Sequence, residues 1–371
     1  MNFFLNLLIR CYFPFVGALC MLSFGGTVVL IMVLVENDLW YLGIPAAFLA
    51  LAGLHMLYVL YFVITFKPDK DFLEMKTPRQ QLRSVYELVD RVAEQWDLDA
   101  PDEIRLGAGT VAHVYENDKG KRILVIGGIA VAAMSQDTLA GIVAHELAHF
   151  TSGDTQLAKR TFSRRLTMEA YHYLCRRYPI SYINPLVWFA SLYRLTFRIV
   201  DAKVSRNQEY AADRYSVKQA GVEAASSALI YVCVTEHLRW ANISRMIEIA
   251  VKSEQVMVPI FAQQVQEART TDDKEWKKAL NKALMEFTNL FDDHPCLRDR
   301  LKAMGIEPKK ALRVALEQRG TPTSVLIPGW DRIEKEMSER LMLPYRERRA
   351  ALLDAYKVIK AVDRAGGNSG F

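Results

Sequence analysis

Hydrophobic positions along this 371-residue chain follow two regimes. Near the amino terminus they run unbroken. No charge falls in Phe13–Val35, "FPFVGALCMLSFGGTVVLIMVLV", or in the run from Leu39 to Phe66. Each run exceeds the roughly 20 residues that a helix needs to cross a bilayer core. Only Glu36, Asn37 and Asp38 separate the runs, so a transmembrane helical hairpin is expected, with spans of about 13–35 and 39–66. A cleaved leader would carry a shorter apolar region and no second run behind it. After Phe66 the pattern becomes periodic. Leu82, Val85, Leu88, Val89 and Val92 recur at the spacing of an amphipathic helix. Residues 103–126 read as two β-segments, "EIRLGAGTVAHVYE" and "RILVIGG", joined by the turn "NDKGK". Ser135 is an N-cap, with Asp137 in the first turn, for the helix "QDTLAGIVAHELAHFTSGD". Leu139, Ile142, Val143 and Leu147 give that helix a face to bury. The expected fold class is mainly α with a small β-sheet, preceded by the two-helix hairpin.

Charge orients the hairpin. Arg10 precedes it, Lys67, Lys70, Lys76, Arg79 and Arg83 follow it, and its short turn is acidic. Basic flanks stay on the cytoplasmic side, so the whole chain beyond Phe66 is expected there, at the plasma or inner membrane in a bacterium. A net charge of +5 is too mild for a dedicated nucleic-acid binder. Cys11, Cys20, Cys175, Cys233 and Cys296 are scattered without CxxC spacing, which fits a reducing compartment. Lys159, Arg160, Arg164, Arg165, Arg176 and Arg177 form a basic cluster ahead of the aromatic stretch 182–200. That stretch contains Arg194 and Arg198, whose central charges are costly in a bilayer. It is expected as a core helix or one lying against the cytoplasmic leaflet, not as a third span.

The chemistry concentrates in "VAHELAHFTSGD", residues 143–154. His145 and His149, four apart, share one helix face, so both imidazoles can reach a single zinc ion at about 2.0–2.1 Å. Glu146 lies beside them as a general base for a water whose pKa zinc lowers to about 7. A solvated helix face does not explain a histidine pair flanked by core residues. A third ligand must come from elsewhere, and "NQEYAADRYSVKQAG" offers Glu209. Asp213, one turn later, can accept the free ring N–H of a liganding histidine.

This constellation resembles the HtpX and CAAX-prenyl-protease type of integral-membrane zinc metallopeptidases, which are gluzincins. Their pattern is HExxH, an aspartate five residues on, and ExxxD on a later helix. Here it reads His145, Glu146, His149, Asp154, Glu209 and Asp213. An upstream edge strand with a glycine turn and a downstream HPxxxxR element, His294-Pro295 and Arg300, extend the resemblance over about residues 80–305. It implies a zinc metallopeptidase domain at 67–305 with one Zn2+ per chain held by His145, His149 and Glu209. Asp154 and Asp213 would support the ligands, and Glu146 and His294 would be catalytic. A polypeptide substrate would lie extended along Val111, Ala112, His113, Val114 and Tyr115. The chain departs from the family in one place, because the 182–200 stretch is too short for the membrane hairpin that HtpX-type proteins insert before the third ligand. A C-terminal helical extension with a disordered tail, 306–371, falls outside the pattern.

The expected function is membrane-anchored endopeptidase activity in membrane-protein quality control or processing, with polypeptides and the lipid bilayer as partners and no nucleic acid. Two other readings stay open: a non-catalytic, zinc-containing scaffold or chaperone-like protein, and a protease of prenylated peptides. A homo-oligomer is compatible with all three. His294 also reads as a turn histidine that starts the next helix, and His55, His113 and His172 read as structural.

Overall fold

The computed structural model describes residues 2–39, 41, 43–65, 74–107, 112–117, 119–151, 165, 167–176, 182, 184–252, 259–308, 310 and 321–347. Val111, Asp154 and the tail after residue 347 lie outside the described residues. The chain divides into two compact units. One comprises Met1–Lys70, Gly153–Glu209 and Thr288–His294, the other Asp71–Ser152, Tyr210–Phe287 and Pro295–Phe371.

The first unit is helical. Helices α1 (Asn2–Glu36) and α2 (Gly43–Thr65) form the expected hairpin. Both are long and apolar enough to cross a membrane. The first helix starts well before residue 13, so Arg10 lies exposed inside it and does not flank it. Its end is set by polar turn chemistry. Asn37 donates from its side chain to the Val33 carbonyl at 2.7 Å, and Asp38 takes a left-handed conformation (φ 57°) that aspartate tolerates. The second helix begins later than expected, at Gly43, with Pro45 in its first turn, where a missing N–H is harmless.

Further helices, α6 (167–176) and the start of α7 (Pro185–Lys252), complete this unit. One stripe of α1, Leu5, Ile9, Tyr12, Val16 and Cys20, packs with Met56 and Val59 of α2. Met168, Tyr171 and Cys175 of α6 and Val187, Ala190, Phe197 and Val204 of α7 close the same core. Residues 185–200 of the stretch thus open α7 with one side packed into this core and Trp188, Leu192 and Leu195 exposed on another. Its Arg194 is neutralised by both carboxylate oxygens of Glu169 at 2.7 Å. Beyond the stretch, Gly221 (φ 81°, ψ 163°) breaks the helical path of α7.

The second unit contains the sheet, strands β1 (Glu74–Lys76), β2 (Glu103–Gly107), β3 (His113–Glu116) and β4 (Arg122–Gly127), in the order β1-β2-β4-β3. The two β-segments expected at 103–126 are three strands. β2 and β3 do not pair with each other; β2 runs parallel to β4 and β3 antiparallel to it. The first strand ends at Gly107, a residue type that weakens a strand interior. The turn behaves as expected: the Asn117 side chain accepts from Lys119 and Lys121 N–H, and Gly120 has φ 76°. β1 was not expected; three residues are too few for a period-two signal.

Helices α3 (Arg83–Trp96), α4 (Gly128–Ala133) and α5 (Gln136–Thr151) bury their apolar faces in one core with Leu106, Leu124 and Ile126 of the sheet. Leu82, Val85, Leu88, Val89 and Val92 are all buried, as their spacing predicts. Helices α8 (Ile260–Thr270), α9 (Asp273–Met285) and α10 (Leu297–Met304) follow, then a short 3-10 turn (Thr323–Leu326) and α11 (Trp330–Glu347). The C-terminal segment is built into this core through Ile327, Trp330, Ile333 and Met337. It also caps α8, whose N-cap, Pro259, has no side-chain donor or acceptor. Glu334 accepts from Ala262 N–H at 2.6 Å, and Ser338 from Ile260 N–H at 3.1 Å.

Candidate metal centre

The site starts at a cap. Ser135 Oγ accepts from Thr138 N–H at 3.4 Å and fixes the start of α5. Leu139, Val143 and Leu147 are fully buried on one side of that helix. The 3.6-residue period then turns His145, Glu146 and His149 to the half-buried side. The two imidazoles meet edge to face, with ring centroids 5.2 Å apart.

Helix α7 supplies the carboxylates. Glu209 and Asp213, one turn apart, are 5% and 3% exposed. A glycine permits close approach between α5 and α7: a Cβ at Gly141 would stand 2.9 Å from Ala220 Cβ and 3.3 Å from Ser216 Oγ. One donor atom from each of His145, His149 and Glu209 lies within 4.8 Å of the others. Two imidazoles and one carboxylate, converging and half-buried or buried, are a donor set suited to zinc with a coordination position left over. The residues present therefore fit the metal.

Asp213 acts on His145. Its Oδ1 lies 3.2 Å from His145 Nδ1, so that nitrogen donates to the carboxylate and the Nε2 lone pair is left for a metal. Arg300 of α10 holds the same carboxylate with two bonds, Nε at 2.9 Å and Nη2 at 2.5 Å. Burial alone would raise the Asp213 pKa. The Arg300 guanidinium and His145 outweigh it and hold the carboxyl below the usual aspartate range. Arg300 appeared in the sequence only as the last letter of HPxxxxR. Its partner is 87 residues away, and no local pattern names it.

His294 lies just before α10, with Nδ1 2.9 Å from Glu209 Oε1. It does not cap that helix, since the N-cap position belongs to Cys296. His172 is buried, with Nδ1 3.4 Å from Ser191 Oγ, and burial lowers its pKa. His113 faces Glu74 at 3.6 Å across the sheet. In the expected substrate strand, His113, Val114 and Tyr115 belong to β3 and Ala112 directly precedes it. β3 is the outer strand of the sheet beside β4, and α5 packs against it.

Comparison with known proteins bears on this arrangement. The pattern of peptidase family M48 matches residues 79–306. No curated protein matches the chain. Among solved structures, the crystal structure of Ste24p from S. mikatae aligns at 16% identity with a TM-score of 0.32, covering 80% of this chain. The chain spans 66% of the length of that structure's chain. The family match takes in α3, strands β2 to β4, HExxH, ExxxD and the HPxxxxR element, more than half of the sequence, so the chain belongs to peptidase family M48.

Proposed function

We propose that this protein is a zinc-dependent endopeptidase anchored by two membrane spans, cutting polypeptide segments on the cytoplasmic side in membrane-protein quality control or processing. The observation that carries the reading is the convergence of His145, His149 and Glu209 within 4.8 Å, beside a glutamate that follows the first histidine. These three residues would hold Zn2+. When bound, the metal supplies Lewis acidity to a carbonyl and acidifies a water.

The chain's own groups do the remaining work. Asp213, clamped by Arg300, keeps His145 in one tautomer and orientation. Glu146 takes a proton from the attacking water and passes it to the leaving amine. His294, beside Glu209, donates a hydrogen bond to charge developing on the scissile carbonyl oxygen. The substrate extends along β3, the outer strand beside β4 among the described residues, adding its own main-chain hydrogen bonds next to α5. Asp154 is assigned a supporting role on the family resemblance alone.

The decisive experiment measures zinc and proteolysis on one preparation. His145→Ala, His149→Ala and Glu209→Ala proteins are expected to hold far less than one zinc per chain. Glu146→Gln is expected to keep its zinc and lose activity on unfolded casein by about 100-fold or more. Wild-type zinc content in Glu209→Ala would overturn the ligand set. Full zinc with no proteolysis in the wild type would favour the scaffold reading. Sidedness is tested with cysteines introduced at Asn37 and Lys119 in a cysteine-free background. A membrane-impermeant thiol reagent should label the first in intact cells and spare the second; the reverse pattern would move the catalytic domain outside.

A further inference from the structure

His294 stands at the end of a segment without regular structure, residues 286–296, which leaves Phe287 and Leu290 exposed. Its imidazole is 70% exposed, so burial does not hold it against Glu209. Something else must order the approach.

Helix α7 grips the backbone of this segment. Arg206, three residues ahead of Glu209 and thus on the same helix face, directs one guanidinium nitrogen at three carbonyls. The distances are 2.7 Å to Asp292 O, 3.2 Å to Asn289 O and 3.4 Å to Leu290 O. Two turns upstream, the Arg198 guanidinium lies 5.3 Å over the Phe291 ring. Arg165 bonds the Asp293 carboxylate and lies 3.5 Å from Asp201. The segment braces itself as well, since Asn289 N–H donates to the Asp292 side chain at 2.7 Å. Every residue from Asn289 to Asp293 is therefore held. The 2.7 Å bond to Asp292 O is short and charge-assisted, the two longer contacts share the other hydrogen, and the planar guanidinium fixes direction as well as distance.

We propose that Arg206, seconded by Arg165, is a positioning residue for His294. Helix α7 carries the third metal ligand and, one turn earlier, the anchor that sets His294 beside that ligand. Any movement of this turn carries both groups together. The inference rests on the reading of His294 as a group that acts on the substrate carbonyl. Arg206 touches neither substrate nor metal and works only through the main chain of the 289–292 turn.

The test is a double-mutant cycle on the full-length protein in detergent micelles, with unfolded casein as substrate. Arg206→Ala should lower kcat by about 10- to 100-fold, the scale of a reacting group displaced by about 1 Å, with KM and zinc content near wild type. The Arg206→Ala/His294→Ala protein should be no slower than His294→Ala alone, because both remove one device. Arg206→Lys should restore only part, since a strongly hydrated ammonium on a flexible stem is not held in direction as the guanidinium plane is. Losses that multiply in the double variant would overturn the proposal. Should Arg206→Ala fail to fold, Asp293→Asn, which weakens the Arg165 anchor and leaves Arg206 in place, enters the same cycle with the same criterion. A second readout does not depend on catalysis. Amide hydrogen exchange across 288–294 should accelerate at least about tenfold in Arg206→Ala, and unchanged exchange would overturn the anchor. If exchange accelerates while His294→Ala retains wild-type turnover, the anchor stands as structure, the positioning proposal is overturned, and His294 loses its catalytic role in the proposed function.

Discussion

Leu22 and Leu124 meet different surroundings. Leu22, on α1, is 71% exposed, whereas Leu124, in β4, is fully buried. The contrast holds for the units that contain them. On the hairpin, Phe3, Met21, Val29, Met32, Ile44, Leu51 and Tyr61 also face outward, and only one stripe of each helix is packed. In the sheet-containing unit, α3 keeps its apolar face inside and its charges outside. A helix apolar all round is stable where its outer solvent is hydrocarbon; an amphipathic helix needs water on one side. Where an apolar face meets lipid, apolar contact between helices gains little, so shape and partly buried polar links such as Glu169–Arg194 carry more of the specificity.

The largest effect should come from the buried member of the pair. Leu124→Asp places an unpaired carboxylate in the centre of the sheet and is expected to cost more than about 4 kcal/mol. Loss of folded, soluble-domain signal in circular dichroism checks it; a folded variant would mean that the core is looser than its burial indicates. Arg300→Ala comes next. It leaves the buried Asp213 carboxylate with His145 but without its charged partner, and should destabilise the second unit by about 3–5 kcal/mol. In surviving protein, zinc affinity should fall by about 10- to 100-fold through His145, measured by chelator competition.

The two exposed environments can be compared directly. Leu22→Cys and Val325→Cys replace residues that are 71% and 68% exposed. A hydrophilic maleimide needs the thiolate, which hydrocarbon suppresses. In proteoliposomes the first should react on the order of 100-fold more slowly than the second. Equal rates would show that the hairpin surface faces water.

Two buried aspartates on α7 extend the comparison to charge. Arg300 and His145 hold Asp213 below the ordinary range. Asp201 instead rises from 3.8 to about 6, by burial first and then by Asp293, against the pull of Arg165 and Arg198. A raised carboxyl pKa contributes stability that is fully present below the ordinary value and lost as pH climbs through the folded one. The window is therefore pH 3.8 to about 6. Asp201→Asn cannot ionise. It should be more stable than wild type above pH 6, by about 1–3 kcal/mol, and indistinguishable near pH 4. Melting curves across that range decide it, and a variant less stable at pH 7 would mean that the Arg165 pair dominates. The smallest effect belongs to Val325→Lys, a water-facing change expected to stay within about 0.5 kcal/mol in thermal melts.

What the sequence determined by itself is what a single element encodes. The period of Leu82 to Val92, the Ser135 cap and the HExxH spacing are local patterns that take the form their residues predicted, and the two uncharged runs are helices, though with other bounds than expected. The ExxxD spacing likewise put Glu209 and Asp213 on one helix face, where both are buried. Tertiary structure decided the rest. It separated β2 from β3, which pair with opposite sides of β4. It drew the C-terminal Glu334 and Ser338 onto the first turn of α8, more than 70 residues away. It also set Arg300 on Asp213 and the Asn289–Asp292 turn on Arg206, 87 and more than 80 residues apart. Periodicity reports which side of an element is apolar. It carries no information about which distant arginine meets which carboxylate or carbonyl, since that depends on the packing of several elements at once.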